Sequence, residues 1–91
     1  MRYHILYHPA VRKKDLPVIP SSMKKRIKRA IEQRLLVEPL IYGQALKRSL
    51  KGYRKLRVGD YRIIYRIEGH SIIVLKIGHR KEVYNKVEPR I

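Results

Sequence analysis

The stretch YRKLRVGDYRIIYR, Tyr53 to Arg66, holds five lysines and arginines in fourteen residues. It also reads as two strands around a tight turn. Side chains alternate across a strand, so each strand divides into an apolar set and a charged set. Tyr61, Ile63, Tyr65 and Ile67 make one apolar set, and Leu56 and Val58 the other. Lys55, Arg57 and Arg62 fall on the opposite side. In the following strand, Ile73, Leu75 and Ile77 are expected on the apolar face, with Lys76, Gly78 and Arg80 opposite. With a regular register, Lys55, Arg57, Arg62, Lys76 and Arg80 line one open cationic face.

A charged outer face is ordinary for an antiparallel sheet, and a solvated surface is one reading of the pattern. The arginines favour another. A guanidinium fork donates bidentately to phosphate and does not lose its charge, so Arg57, Arg62 and Arg80 in one patch make a phosphate grip. His79 adjoins them in sequence, and imidazole titrates near neutrality. Which side it takes depends on whether a bulge interrupts the strand. The chain has two aspartates, no cysteine and no His/Asp/Glu grouping of metal-ligand spacing. Neither a thiolate site nor a metal centre is expected.

Elements must position these residues. RYHILY, Arg2 to Tyr7, alternates like a strand. A short helix is expected from about Pro9 to Leu16, since proline suits a first helical turn, with Pro17 and Pro20 interrupting it. PSSMKKRIKRAIEQRLLVEP is the clearest helix. Ser21 or Ser22 can cap it, and Met23, Ile27, Ala30, Ile31 and Leu35 form its apolar stripe. Lys24, Lys25, Lys28 and Arg29 lie off that stripe. The helix should stop before Pro39. Leu40 to Gly52 reads as a connector. Gly59-Asp60 is a two-residue hairpin loop, EGHS is a second turn, and IIVLKIGHR is rich in β-branched residues, as a central strand should be. The expected architecture is a single α+β domain over residues 1–91, with two N-terminal helices packed on one face of a twisted antiparallel sheet of about four strands.

The 91 residues suffice for one modest core. No run of about eighteen apolar residues is present, so no membrane span is expected. MRYHILYHPAV lacks the apolar core and cleavage site of a secretion signal, which leaves the cytoplasm as the expected compartment. Lysine and arginine number 23 against 7 acids, for a formal net charge of +16. Such a field attracts polyanions, and nucleic acid heads the candidates because its phosphates are dense and binding releases counterions. An acidic protein or an anionic membrane surface would meet the same charge. The basic residues are spread through patterned segments rather than gathered in a tail, so they belong to a folded surface.

KGYRKLRVGDYRIIYRI followed by IIVLKIGHRKEVY resembles the RelE/ParE superfamily of toxins from type II toxin–antitoxin pairs. The last half of the chain carries the likeness most strongly, and the N-terminal strand and two helices fit the family layout. The resemblance implies a RelE-like fold and one of two activities. A RelE-like member is a ribosome-dependent, metal-independent endoribonuclease that cuts messenger RNA in the A site. A ParE-like member inhibits DNA gyrase and is no nuclease. Matched position by position, the RelE-like active-site residues fall on Arg62, Arg80, Tyr84, Lys55 and Arg57, with a further basic position on Lys47 or Arg48. Tyr53 stands where the enterobacterial type protein has another lysine, and the segment from Arg80 to Tyr84 is shorter.

The implied reaction is attack of an RNA 2′-hydroxyl on the adjacent phosphate. It needs alignment, charge stabilisation, a base and an acid. Arg62 and Arg80 suit phosphorane stabilisation, because a permanently protonated guanidinium is a poor base. Arg57 is expected to orient the backbone, Lys55 to act as base if crowded by neighbouring cations, and Tyr84 to stack on a base or pass a proton. Tyr84 has an equal claim as a C-terminal core anchor. Lys47, Arg48, Lys76 and His79 are expected on the substrate side, and Lys24, Lys25, Lys28 and Arg29 against ribosomal RNA phosphates, with a solvated helix face as the equal alternative. The implied partners are a cognate antitoxin, the ribosome and messenger RNA, with no small-molecule cofactor. The antitoxin should be acidic or at least able to cover the platform, with a segment that blocks the cationic face or displaces the C-terminal segment. A degenerate, non-toxic RNA-binding relative is the remaining alternative.

Overall fold

The computed structural model describes residues 3–85 and 87–91. Its five strands form one sheet in the order β1-β5-β4-β3-β2, with β1 at His4–Tyr7, β2 at Gln44–Ala45, β3 at Arg54–Val58, β4 at Tyr61–Glu68 and β5 at Ser71–His79. β2 to β5 run antiparallel. The sheet is therefore α+β as expected but mixed, because β1 pairs with β5 in parallel. Alternation reports which face a residue occupies and carries no information on strand direction. The fifth strand is only two residues long and lies inside the expected connector.

Both hairpins close through two-residue loops whose glycines, Gly59 (φ 59°) and Gly69 (φ 60°), adopt the left-handed conformation such turns demand. The first helical segment runs from residue 9 through Val11–Asp15 and continues past Pro17 to Val18. Pro17 stands in the first positions of the closing 3₁₀ turn, Leu16–Val18, where no N–H donor is needed. The second helix, Ser21–Ala30, continues through Ile31–Leu35. Its N-cap is Pro20 and no side chain caps it; Ser21 and Ser22 lie inside the first turn instead. Glu38, ahead of Pro39, has left the helical region (φ −138°, ψ 67°), which the proline ring disfavours for the residue before it. A short turn of helix, Pro39–Tyr42, follows. Among the described residues no helix is long and apolar enough to cross a membrane.

One face of the sheet buries the main core. Ile27, Ile31 and Leu35 of the second helix and Val11 of the first meet Leu56, Ile63, Tyr65, Ile72, Val74 and Ile77. The apolar stripe read from helical spacing is the stripe that is buried. The strand reading holds for β3 and β4 and fails in β5. A bulge between Ile64 and Tyr65 in the β4–β5 register makes Tyr65 pair with Val74 and Ile64 with Lys76. The extra residue, Leu75, shifts the parity of the strand. Ile72, Val74 and Ile77 enter the main core, whereas Leu75 turns to the other face.

That other face is not fully open. Ile64 and Leu75 are buried there beneath Leu50, Val83 and Val87, with Leu46 and Tyr53 at the margin. The connector and the C-terminal tail thus build a second, smaller core over part of the face expected to be cationic.

The turn after the second helix is tied down by one knot. The Tyr65 hydroxyl, fully buried, donates to the Pro39 carbonyl at 2.7 Å. Arg54, directly across from Tyr65, donates to the carbonyls of Leu40 (3.0 Å) and Gly43 (2.7 Å). A methyl group on Gly43 would stand 1.8 Å from the Tyr65 hydroxyl. Gly43→Ala is therefore expected to destabilise the fold by about 3 kcal/mol, the upper range for overpacking. Tyr65→Phe should lose about 1–3 kcal/mol by leaving a buried carbonyl unpaired. Chemical denaturation of both variants checks this, and equal midpoints with the parent would refute the knot. Burial raises the Tyr65 phenol above its usual value of 10.0, only partly opposed by the hydrogen bond and charge of Arg54. A phenol whose folded value is raised stabilises the fold below pH 10 and loses that contribution as pH climbs through the raised value. Alkaline unfolding should accordingly begin later in Tyr65→Phe relative to its own neutral-pH stability.

Candidate functional site

The β3–β4 register sets Arg57 directly opposite Arg62, and the β4–β5 register sets Arg62 opposite Gly78. In the next row, Lys55, Ile64 and Lys76 are neighbours. Both rows lie on the face away from the helices, so Lys55, Arg57, Arg62 and Lys76 share the side anticipated for them. Gly78 leaves room above the first row, and Val83 of the tail fills it, 3.5 Å from where a Cβ would stand.

Around these rows is an open cavity of about 240 Å³, lined by Tyr42, Gln44, Lys55, Arg57 and Arg62. Arg62 is half-buried, and its guanidinium donates to the carbonyls of Gly59 (3.0 Å) and Tyr61 (2.9 Å) at the hairpin turn. These two bonds aim the fork before any ligand arrives. Arg57 is exposed and has no carboxylate partner among the described residues.

Arg80 is the first residue after β5. Its N–H donates to the Asp60 carbonyl (2.8 Å), and its guanidinium stands 3.7 Å from the Asp60 carboxylate. Both side chains are more than half exposed, so the pair is weak and an incoming phosphate can compete for it. Lys76 donates to the Asn85 carbonyl in the tail. Tyr84 is 38% exposed; the buried anchors of the tail are its neighbours Val83 and Val87.

His79 pairs with Tyr61 and meets its ring edge-on at 5.6 Å. Tyr61 packs toward the main core, so His79 stands on the helix side of the sheet, away from Arg57 and Arg62. Its Nδ1 accepts the Lys81 N–H at 3.2 Å. Lys47 and Arg48 are exposed on the loop that covers the second core, and Arg48 holds a left-handed φ of 59°. Of the helix lysines, Lys24 and Lys28 border a separate, mostly apolar cavity with Tyr7 and Ile27, and Lys25 is exposed. The structure does not bring those three to the cationic rows.

Two groups escaped sequence reasoning, apart from Arg29, which it places with the lysines on the basic face of the second helix. Arg26, Arg29 and Arg34 project from the second helix toward Arg57, with Tyr42 between them. Helical spacing already separates Arg26 and Arg29 from Lys24 and Lys28, and that was the available signal. The second group is a buried ion pair. Arg90 donates to both carboxylate oxygens of Asp15, at 2.6 and 2.9 Å, and nothing local in the sequence joins positions 75 residues apart.

Electrostatically, the site consists of permanently charged forks around an open cavity, one of them pre-aimed. That arrangement can hold a phosphodiester and neutralise charge that develops on it. The family model described as the ParE toxin of the type II toxin–antitoxin system parDE matches residues 5–84. Toxin RelE3 of Methanocaldococcus jannaschii is 36% identical over 75 residues, covering 79% of this chain and 85% of that protein. Toxin RelG of Mycobacterium tuberculosis is 30% identical over 88 residues, covering 94% of this chain and all of that protein (100%). The crystal structure of the toxin–antitoxin complex RelBE2 from Mycobacterium tuberculosis contains a chain with the same fold. The TM-score is 0.81 at 29% identity, over 88% of this chain and 100% of that one.

Proposed function

We propose, on the premise that this chain belongs to the RelE/ParE superfamily of type II toxins, matched by its ParE model over residues 5–84 and by RelE-named relatives, that it is a ribosome-dependent endoribonuclease cutting messenger RNA in the A site. The observation that carries the reading is the Arg57–Arg62 cross-strand pair with Lys55 beside it. Like charges directly opposite one another destabilise a sheet. A polyanion held between them offsets that cost, and RNA supplies one. The RelE names of the curated relatives support the RNA-cleaving branch.

In this reading the strand lies across the outer face with one phosphate between Arg62 and Arg80. A base takes the proton of the 2′-hydroxyl, and that oxygen attacks phosphorus. The bond from phosphorus to the 5′-oxygen breaks, and an acid protonates the leaving oxygen. The products are a 2′,3′-cyclic phosphate and a 5′-hydroxyl. Arg62 and Arg80 neutralise the phosphorane, Arg57 orients the backbone, Lys55 is the candidate base, and Tyr84 stacks on a base or passes the proton. Lys76, Lys47 and Arg48 extend the cationic margin. The reaction asks for no metal, since the guanidinium groups supply the positive charge. A cognate antitoxin is the regulatory partner, and its acidic segment would cover these same rows.

The match to a ParE model favours a second reading, in which the protein binds and inhibits DNA gyrase without chemistry. One experiment separates them. Purified protein is added to programmed ribosomes carrying a labelled message, and cuts are mapped by primer extension. Cuts confined to the A-site codon support the nuclease. An intact message together with lost gyrase supercoiling supports the inhibitor, and neither effect leaves a non-toxic RNA-binding relative.

A further inference from the structure

The cationic surface does not end at the outer face of the sheet. β2 covers β3 only at Arg54 and Lys55, so from Leu56 onward no strand among the described residues lies beside that edge of β3. Against the open edge lies a groove of about 500 Å³. Arg26, Arg29 and Arg34 of the second helix form one wall, Arg57 the other, and Ala30, Leu56 and Val58 the floor. None of the four arginines is paired with a carboxylate among the described residues. Arg26 leans onto the hairpin turn, where a Cβ on Gly59 would stand 3.2 Å from its guanidinium. Arg34 lies against the ring of Tyr42, 5.9 Å from its centroid, and Tyr42 is 49% exposed. Tyr42 and Arg57 also line the smaller cavity with Lys55 and Arg62. They are the junction between the two.

Four arginines with no carboxylate beside them among the described residues repel one another until a multivalent anion lies among them. A half-exposed aromatic ring between two cationic grooves adds a second requirement on that anion. It must carry flat groups as well as charge. Single-stranded nucleic acid meets both, its backbone tracking the arginines while a base stacks on the ring. An acidic peptide satisfies the arginines and leaves Tyr42 without a purpose.

We infer that the groove between the second helix and the open edge of β3 is a second nucleic-acid subsite. A single strand running on from the phosphate at Arg57 and Arg62 passes over Tyr42, which stacks one base, and lies along Arg26, Arg29 and Arg34. The inference rests on the RNA reading of the outer face but needs no cleavage, so binding alone tests it.

The probe is a fluorescently labelled 2′-deoxy oligonucleotide, which cannot be cut, in a length of about three and a length of about eight nucleotides. Anisotropy gives the affinity of each across a salt series. Parent protein should bind the longer strand more tightly. Tyr42→Ala should weaken the longer strand by about 5- to 150-fold, the loss of one stacked base, and leave the shorter within twofold. Arg26→Ala/Arg29→Ala should flatten the salt dependence for the longer strand by about 1.4 in slope, two phosphate contacts at about 0.7 each. Arg62→Ala should weaken both lengths. If Arg62→Ala changes neither length while the groove variants still weaken the longer one, the outer-face reading fails and the groove stands. The inference is overturned if both lengths bind parent protein equally, or if Tyr42→Ala leaves the longer strand within twofold. It is also overturned if a glutamate-rich peptide displaces the longer strand and its binding is lost in Arg26→Ala/Arg29→Ala but kept in Tyr42→Ala, which would make the groove a protein dock. Tyr42, Arg26 and Arg29 are exposed, so unchanged melting temperatures should accompany the groove variants.

Discussion

Replacing Arg62 with alanine is expected to slow message cleavage on saturated ribosomes by about 10²–10³-fold, the usual consequence of removing one pre-aimed donor from developing oxyanion charge. Arg62 ranks first among the cations because of its two carbonyl bonds at the hairpin turn. They hold the fork in place, so little ordering remains to be done when the phosphate arrives. Arg62→Lys should recover only a small part of the loss, since an ammonium cannot bridge two phosphate oxygens from a fixed plane. Arg80→Ala should follow the same direction more weakly, because Arg80 is exposed and shared with Asp60. Single-turnover cleavage, mapped by primer extension, provides the rate. Stability supplies the control. Arg62→Ala removes one of two like charges facing each other across β3 and β4, so its melting temperature should equal or slightly exceed that of the parent. A rate within threefold of the parent would remove Arg62 from the chemistry, and lost activity with a lowered melting temperature would make its role structural.

The second large effect concerns stability, and it lies away from the cationic face. Breaking the Asp15–Arg90 pair from either side should cost about 3–5 kcal/mol, the loss expected when one member of a buried ion pair is left alone. The side chains are only 6% and 11% exposed. β1 accompanies β5 no further than Val74, where the His8 N–H makes the last bond. Beyond that point the outer edge of β5 carries backbone groups with no strand to receive them, and buried backbone groups must be paired. The Asp15 carboxylate takes the Ile77 N–H at 2.9 Å, and Arg90 donates to the Leu75 carbonyl at 3.3 Å. The pair thus finishes the sheet where the first strand stops. For a domain of this size each kcal/mol moves the melting temperature by about 4–8 °C, so Arg90→Ala should melt at least about 12 °C below the parent. Removing the last two residues should do the same. A joint Asp15→Leu/Arg90→Met variant should recover part of the loss, because a well-packed apolar pair can replace a buried ionic one. Calorimetry decides, and single variants that melt within about 3 °C of the parent would show that the pair is dispensable.

The two predictions separate two kinds of positive charge in one small chain. Arg62 and Arg57 are set opposite each other without acidic relief, which costs the empty protein something and suits it to an anionic ligand. Arg90 is neutralised inside and serves the fold. Composition cannot tell them apart. Both are arginines in a chain with a formal net charge of +16.

Much of the site was written locally. Alternation in β3 and β4 assigned Lys55, Arg57 and Arg62 to one face, and a two-residue loop with glycine set the register that brings Arg57 opposite Arg62. Helical spacing marked the stripe of the second helix that is buried. These features depend on neighbours a few residues apart, where the backbone geometry of strand and helix fixes direction by itself.

What lay beyond the sequence depends on parity and closure. One extra residue at Leu75 reverses the alternation of β5. It sends Leu75 to the second core, keeps Lys76 on the cationic side, and leaves His79 on the helix side. No periodicity announces that residue, because a bulge is chosen by how two strands fit and not by either alone. The parallel pairing of β1, the cover of Ile64 by Val83 and Val87, the groove at the open edge of β3, and the union of Asp15 with Arg90 all join distant segments. In the second helix, β3 and β4 the sequence determined which residues face water or core. Only the folded chain decided which elements meet, because each such meeting is chosen by the packing and pairing of both partners together.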